Sequence, residues 1–277
     1  MIAAQRPRLP ARSAPPLAQA ASRSTSSEKM LSVMDLFTPT AAEWTIDAMA
    51  SELALSPSTI YRYVRSLVAV GLLFSARPGA YLLGPGIAHY DRQFRLADPL
   101  VLASEPVLRE LAGEFSGPGV LFIARIYRHH LLSMVEQPLG LAHFTTSYGR
   151  GQLMPMDAGA PALAISAHTP IRALRREFLG AEVGSSRAED WRAYKRRLRA
   201  VRAQGYAVDH CGVDPHASYL SVPVFRGDGA AVASLTLGVP DLRADAAALD
   251  TFIRRLTEAA ALIQRTIESA TALGTAL

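Results

Sequence analysis

Residues 44–71, WTIDAMASELALSPSTIYRYVRSLVAVG, decide how the chain is built. Ile46, Met49, Ala50 and Leu53 recur at helical spacing while Asp47 and Glu52 fall off that stripe, and Thr45 stands where a side-chain oxygen caps a first helix. After Ala54-Leu55, Ser56 supplies a second cap, and Pro57 occupies the first helical position, where its missing N–H is not needed. On this second helix Ile60, Tyr63, Val64 and Leu67 make one apolar face, and Gly71 is suited to a left-handed stop. Ser58, Tyr61, Arg62 and Arg65 lie opposite, with Thr59 alongside, and no acidic residue occurs between Ser56 and Gly71. Short hydroxyls at a helix start approach phosphates or base edges, and arginine grips guanine or phosphate with two hydrogen bonds. The expectation is a helix-turn-helix whose second helix enters a DNA groove; the competing reading is a helical hairpin with a solvated basic face.

Leu72-Leu73-Phe74 and Tyr81-Leu82-Leu83 flank the turn Ala76-Arg77-Pro78-Gly79, which adds a β-wing with Arg77 at its tip, near the DNA backbone or minor groove. Residues 27–37 read as the first helix of the same domain, with Leu31, Met34 and Phe37 inward. Residues 1–26, rich in Ala, Arg, Pro and Ser, lack both apolar periodicity and the hydrophobic centre of a signal peptide, so a disordered basic tail is expected there.

The net charge of +5 is unevenly placed. Arg6, Arg8, Arg12, Arg23 and Lys29 face only Glu28 in the tail region, whereas Arg62, Arg65 and Arg77 are outnumbered by Asp35, Glu43, Asp47 and Glu52 in residues 30–84. DNA binding therefore rests on a face and not on bulk charge. An apolar content of 49% with no apolar run near the roughly 18–20 residues of a membrane span points to a globular cytoplasmic protein without a membrane partner. One cysteine in 277 residues excludes an internal disulfide framework.

Residues 84–96 read as a linker helix that Asp98-Pro99 ends or bends. Beyond it come a helix at 100–115, with Leu102, Val107, Leu108, Leu111 and Phe115 mostly inward, and strands at 120–127 and 131–137 joined through Arg128-His129-His130. Turn histidines are usually solvated, and no metal is expected. Helices are expected at 160–168, 171–179 and 186–204, the last with Trp191, Tyr194, Leu198 and Val201 inward and a basic outer face. Strands at 206–211, 219–225 and 231–239 follow, the last two joined by Arg226-Gly227-Asp228-Gly229, and a helix at 250–269 closes the domain. On the last strand Ala231, Ala233, Leu235, Leu237 and Val239 alternate with Val232, Ser234, Thr236 and Gly238, a greasy face backed by a small, partly polar one that suits a ligand pocket.

The fold class is α+β, with a tail at 1–26, a winged helix-turn-helix at 27–84, a linker helix at 85–98, a C-terminal α/β effector-binding domain at 99–270 and a short tail at 271–277. In this order the parts resemble the isocitrate-lyase-regulator (IclR) family of transcription factors. Ser56-Pro57-Ser58-Thr59-Ile60-Tyr61-Arg62 is similar to the family's recognition-helix start, and Gly71-Leu72-Leu73 with Tyr81-Leu82-Leu83-Gly84 to its wing. Residues 156–164 (MDAGAPALA), 201–209 (VRAQGYAVD) and 221–224 (SVPV) resemble three effector-domain signatures. The resemblance implies a GAF-like effector domain, a homodimer or homotetramer on a palindromic double-stranded DNA operator, and a small organic acid or aromatic metabolite as effector. It further implies a pocket at Ala158, Gly159, Asp209, Tyr219, Thr236 and Gly238, with neither cofactor nor catalysis. Ala160 stands where the family usually has lysine, His210-Cys211-Gly212 where acidic residues are usual, and Tyr219 is bulkier than the common occupant. With Phe122, Met154 and Met156 in reach, an apolar or aromatic ligand held by Asp209 fits as well as a carboxylate.

Two other readings attach to Asp209-His210-Cys211-Gly212-Val213-Asp214-Pro215-His216: a redox- or metal-responsive regulator working through Cys211, and a Cys-dependent enzyme. Neighbouring strand residues point to opposite faces, so His210 is not placed to activate Cys211, and the paired spacing of zinc ligands is missing.

Overall fold

A computed structural model describes residues 25–128, 130–141, 144–156, 159–174, 185–242 and 246–272. Residues 1–24 of the expected tail, His129, Ala158 and the end of the helix expected at 171–179 lie outside the described residues, while Thr25 and Ser26, expected in the tail, already belong to the first helix. The chain divides into two compact units between Leu96 and Ala97.

In the first unit, Thr25 and Glu28 form a reciprocal capping box at the start of α1 (Ser26–Ser32). The helix expected at 27–37 ends at Ser32 and passes into a 3-10 turn at Met34–Leu36. That break moves the inward positions. Val33 and Leu36 are buried and Met34 and Phe37 pack partly, while Leu31 is exposed, contrary to the helical phase read from the sequence.

β1 (Trp44–Thr45) leads into α2 (Ile46–Glu52), capped by Thr45, and α3 (Pro57–Ala69), capped by Ser56 with Pro57 in its first turn. Ala54 joins the two helices in the left-handed region, at φ 51°. β2 (Leu73–Arg77) and β3 (Ala80–Leu83) form the wing, and β1, a strand the sequence did not announce, pairs with β3 through Trp44 opposite Tyr81. The Trp44 indole N–H donates to the carbonyls of Leu36 and Ala41 at 2.9 and 3.0 Å. Gly71, at φ 76°, lets the chain turn from α3 into the wing, and its carbonyl receives the N–H of Gly86 at 2.9 Å where α4 (Gly86–Ala97) begins.

In the second unit Asp98 is a helix cap: its carboxylate accepts the N–H groups of Leu100 and Val101 at the start of α5 (Pro99–Ala112). Leu102 is exposed there, and Leu100, Val101, Ala103 and Ser104 take the inward places. A six-stranded sheet follows, in which β4 (Gly119–Tyr127), β5 (His130–Leu139), β6 (Leu153–Pro155), β7 (Ala207–His210), β8 (Ser218–Phe225) and β9 (Ala231–Val239) stand in the order β6-β5-β4-β9-β8-β7. Every neighbouring pair is antiparallel.

One face of the sheet packs against α5 and the closing helix α8 (Ala246–Ala272), which runs beyond both ends expected for it. The other carries α6 (Gly159–Ser166) and α7 (Ser185–Gln204), whose Trp191, Tyr194, Leu198 and Val201 are buried. The alternation in β9 sorts the two cores: Ala233, Leu235 and Leu237 join the first, leaving Ser234, Thr236 and Gly238 to the face below α6 and α7. The result is α+β, a helical layer on each side of an antiparallel sheet.

Candidate functional site

The DNA-facing surface follows from what α3 buries. Ile60, Tyr63, Val64 and Leu67 are all below 10% exposure, so Ser58, Tyr61, Arg62 and Arg65 project to solvent and Thr59 lies at the margin. The Ser56 hydroxyl accepts the N–H of Thr59 and sits 3.1 and 2.8 Å from the hydroxyls of Ser58 and Thr59, gathering three hydroxyls at the positive end of the helix. Arg62 lies over the Tyr63 ring, its guanidinium carbon 5.7 Å from the centroid.

Arg77 behaves differently from the expectation of a free wing-tip cation. Its guanidinium donates to both oxygens of Glu43, from the segment before β1, and this pairing lowers the Glu43 pKa and raises that of Arg77. The sequence signal existed in the excess of acids over bases in residues 30–84, but only the β1–β3 pairing sets Glu43 against the wing.

In the second unit the residues expected at the effector site fall into two adjacent rows across the sheet. Asp209 on β7 stands opposite Tyr219 on β8, Tyr219 opposite Gly238 on β9, and Gly238 opposite Val120 on β4. The next row runs Ala207, Ser221, Thr236, Phe122, and the hydroxyls of Ser221 and Thr236 lie 2.8 Å apart. Opposed residues share a face, so Asp209, Tyr219, Gly238 and Thr236 look the same way, toward α6 and its first residue, Gly159. Met156 is buried and Met154 partly buried in this core.

Tyr219 fills the space over Gly238 and is fully buried. Its hydroxyl donates to Asp214 and lies 2.8 Å from the Thr146 hydroxyl, and burial is the first cause of its raised pKa. Asp214 also receives the backbone N–H of Ser147 at 2.9 Å and the Ser147 hydroxyl. Burial likewise raises the Asp209 pKa, offset by Arg197, His210 and the N–H groups of Val213 and Gly212. Phe122, Tyr148 and Tyr219 form a ring cluster: Tyr148 stacks on Phe122 at 5.0 Å and 18°, and meets Tyr219 edge-on at 4.8 Å and 72°. Tyr148, Thr146 and Ser147 were missed from the sequence, since 144–149 carries no periodicity to announce a buried ring, and Asp214 stood out there only as a member of the run 209–216.

The sequence model of the IclR helix-turn-helix domain matches residues 26–74. Over 237 residues the chain is 26% identical to the HTH-type transcriptional regulator BhcR of Paracoccus denitrificans, covering 84% of each protein. The helix-turn-helix is of the IclR type. An IclR regulator from Alicyclobacillus acidocaldarius has the same fold at a TM-score of 0.71 and 19% identity, over 87% of this chain and 98% of that one. So has an IclR homologue from Microbacterium hydrocarbonoxydans solved with 4-hydroxybenzoate, at 0.71 and 20%, over 88% and 100%.

The relative from Paracoccus denitrificans is a transcriptional regulator. Cys211 is exposed in a left-handed turn at φ 57°. The side chain of the preceding His210 is engaged elsewhere, Nδ1 lying 3.0 Å from the Ser218 hydroxyl. Among the described residues no group of three His, Cys, Asp or Glu side chains is placed to hold a metal ion, and no helix is long and apolar enough to cross a membrane.

Proposed function

We propose that this regulator places α3 in the major groove of a palindromic operator as a homodimer or homotetramer in the cytoplasm, with Ser58, Thr59, Tyr61, Arg62 and Arg65 toward the DNA. The observation that carries this reading is the division of α3 into a fully buried apolar face and a hydroxyl- and arginine-bearing one. With Arg77 paired to Glu43, one module offers two unpaired helix arginines, too few phosphate contacts for a tight site, so two copies must share the operator. Ile87, Tyr90 and Phe94 support such pairing: they recur along α4 at i, i+3 and i+7 and are exposed in a single chain.

The effector, an organic acid or aromatic metabolite, is held at Gly159, Asp209, Tyr219, Thr236 and Gly238, with Ala158 adjoining, and sets the affinity for DNA. The two shared-face rows support this site, and so does the relative solved with 4-hydroxybenzoate. The test is operator binding at two salt concentrations with Arg62→Ala. If Arg62 reads a base edge, the variant loses roughly 1–3 kcal/mol of binding, whereas unchanged affinity overturns the assignment of the face.

A further inference from the structure

The ring slot beneath α6 already has an occupant, supplied by the chain itself. Tyr148 enters from the segment between β5 and β6, lies flat on Phe122, touches the edge of Tyr219 and is 1% exposed. Its hydroxyl ends against Gly159, where an added Cβ would collide with it, and beside the Val213 side chain. That hydroxyl has no hydrogen-bond partner among the described residues, and neither has the buried oxygen Oδ2 of Asp209, whose carboxylate is held from below by the N–H groups of Gly212 and Val213. Two unpaired polar atoms thus belong to one aromatic cluster, Asp209 standing opposite Tyr219 and its charge acting on the Tyr148 hydroxyl, an arrangement that packing alone does not require.

Resting on the reading of this face as the effector site, we propose that the slot is a phenol-binding site and that Tyr148 is its internal stand-in, displaced when a neutral hydroxylated aromatic binds. The ligand ring takes the place of the Tyr148 ring between Phe122 and Tyr219, and its hydroxyl donates to Oδ2 of Asp209, which Tyr148 leaves unpaired. The side-chain contacts holding Tyr148 inward are those of its ring: its backbone N–H donates to the Thr146 hydroxyl at 3.0 Å, while the other hydrogen bonds of Thr146 and Ser147 go to Asp214 and Tyr219 and none goes to the Tyr148 hydroxyl. The side chain can therefore leave without breaking the Asp214 cluster. The acidic groups around the slot, Asp209 and Asp214, oppose a ligand carboxylate, and the charges that offset Asp209 come from Arg197 and His210. A self-occupied site also lowers apparent ligand affinity by the fraction of time it stands closed, which gives Tyr148 a hand in setting the response threshold.

The test is ligand binding to the full chain, read by calorimetry and thermal shift, with 4-methylphenol, toluene and benzoate as probes. Tyr148→Ala is expected to bind 4-methylphenol at least tenfold more tightly than the unsubstituted chain, to prefer it to toluene and benzoate, and to lose that preference when Asp209→Asn is added. Equal binding of 4-methylphenol and toluene would mean an apolar hole only and would overturn the proposal, as would no gain over the unsubstituted chain. Should Tyr148→Ala fail to fold, the chain labelled with 3-fluorotyrosine gives an independent reading. The Tyr148 fluorine resonance, assigned with Tyr148→Phe, must move to a solvent-exposed shift as 4-methylphenol saturates, and an unmoved resonance at saturation overturns the displacement. Operator affinity measured with and without 4-methylphenol separates the two claims, since phenol binding that leaves DNA affinity unchanged counts against the effector role while the slot stands.

Discussion

Tyr219 lies so close over Gly238 that a Cβ added to the glycine would stand 2.6 Å from Cε1 of the ring. The two face each other across β8 and β9, so the largest buried residue of this row depends on the smallest. Gly238→Ala should cost about 1–3 kcal/mol through overpacking, measured by denaturant unfolding. Part of that cost should vanish when Tyr219→Leu accompanies it, and strict additivity of the two substitutions would contradict the contact.

Asp214 is buried and gathers Tyr219, Thr146 and Ser147 from two segments far apart in sequence. Asp214→Ala leaves both Ser147 donors unpaired and Tyr219 and Thr146 with only each other, and a loss of roughly 2–4 kcal/mol is expected, with faster hydrogen exchange at the Ser147 and Tyr148 amides. Tyr219→Phe removes one donor of the group and should cost less. Full stability of Asp214→Ala would show that the segment at 144–149 is held by its rings alone.

Burial raises the Asp209 pKa above the ordinary carboxylate value. The folded state then binds more protons than the unfolded one, so this group lowers stability as pH rises from the unfolded value through the folded one. Asp209→Asn removes that loss while keeping an oxygen for the Gly212 and Val213 N–H groups. The variant's melting temperature relative to the unsubstituted chain should be more favourable at pH 7 than at pH 4. The reverse trend in paired melts would show that a cation dominates the site.

Glu43 neutralises the wing arginine on the surface proposed to face DNA. Glu43→Gln should therefore strengthen DNA binding and steepen its salt dependence by up to about one phosphate contact, near 0.9 in the log–log slope. Glu43→Gln combined with Arg77→Ala should lose the gain. An unaltered salt slope in the single variant would place Arg77 away from the phosphates.

What the sequence determined by itself is local. The caps Thr45 and Ser56, Pro57, the apolar spacing of α3, the stop at Gly71 and the two-residue alternation of β9 from Ala233 onward are each fixed by neighbours within a turn or a strand and stand as expected, whereas a bulge opposite Phe225 turns Ala231 to the other core. The helical phase drawn through residues 27–37 failed because a 3-10 turn shifts it by part of a turn, which leaves no mark in composition. Tertiary structure decided the rest. Strand order alone sets Asp209, Tyr219 and Gly238 in one row, and β1 pairing brings Glu43 to Arg77 across 34 positions of sequence. The burial of Tyr148 is likewise a decision of the fold, because a tyrosine in a segment without periodicity is equally compatible with solvent or core. Only the antiparallel sheet and the helix laid over it leave a ring-shaped space for that side chain to fill.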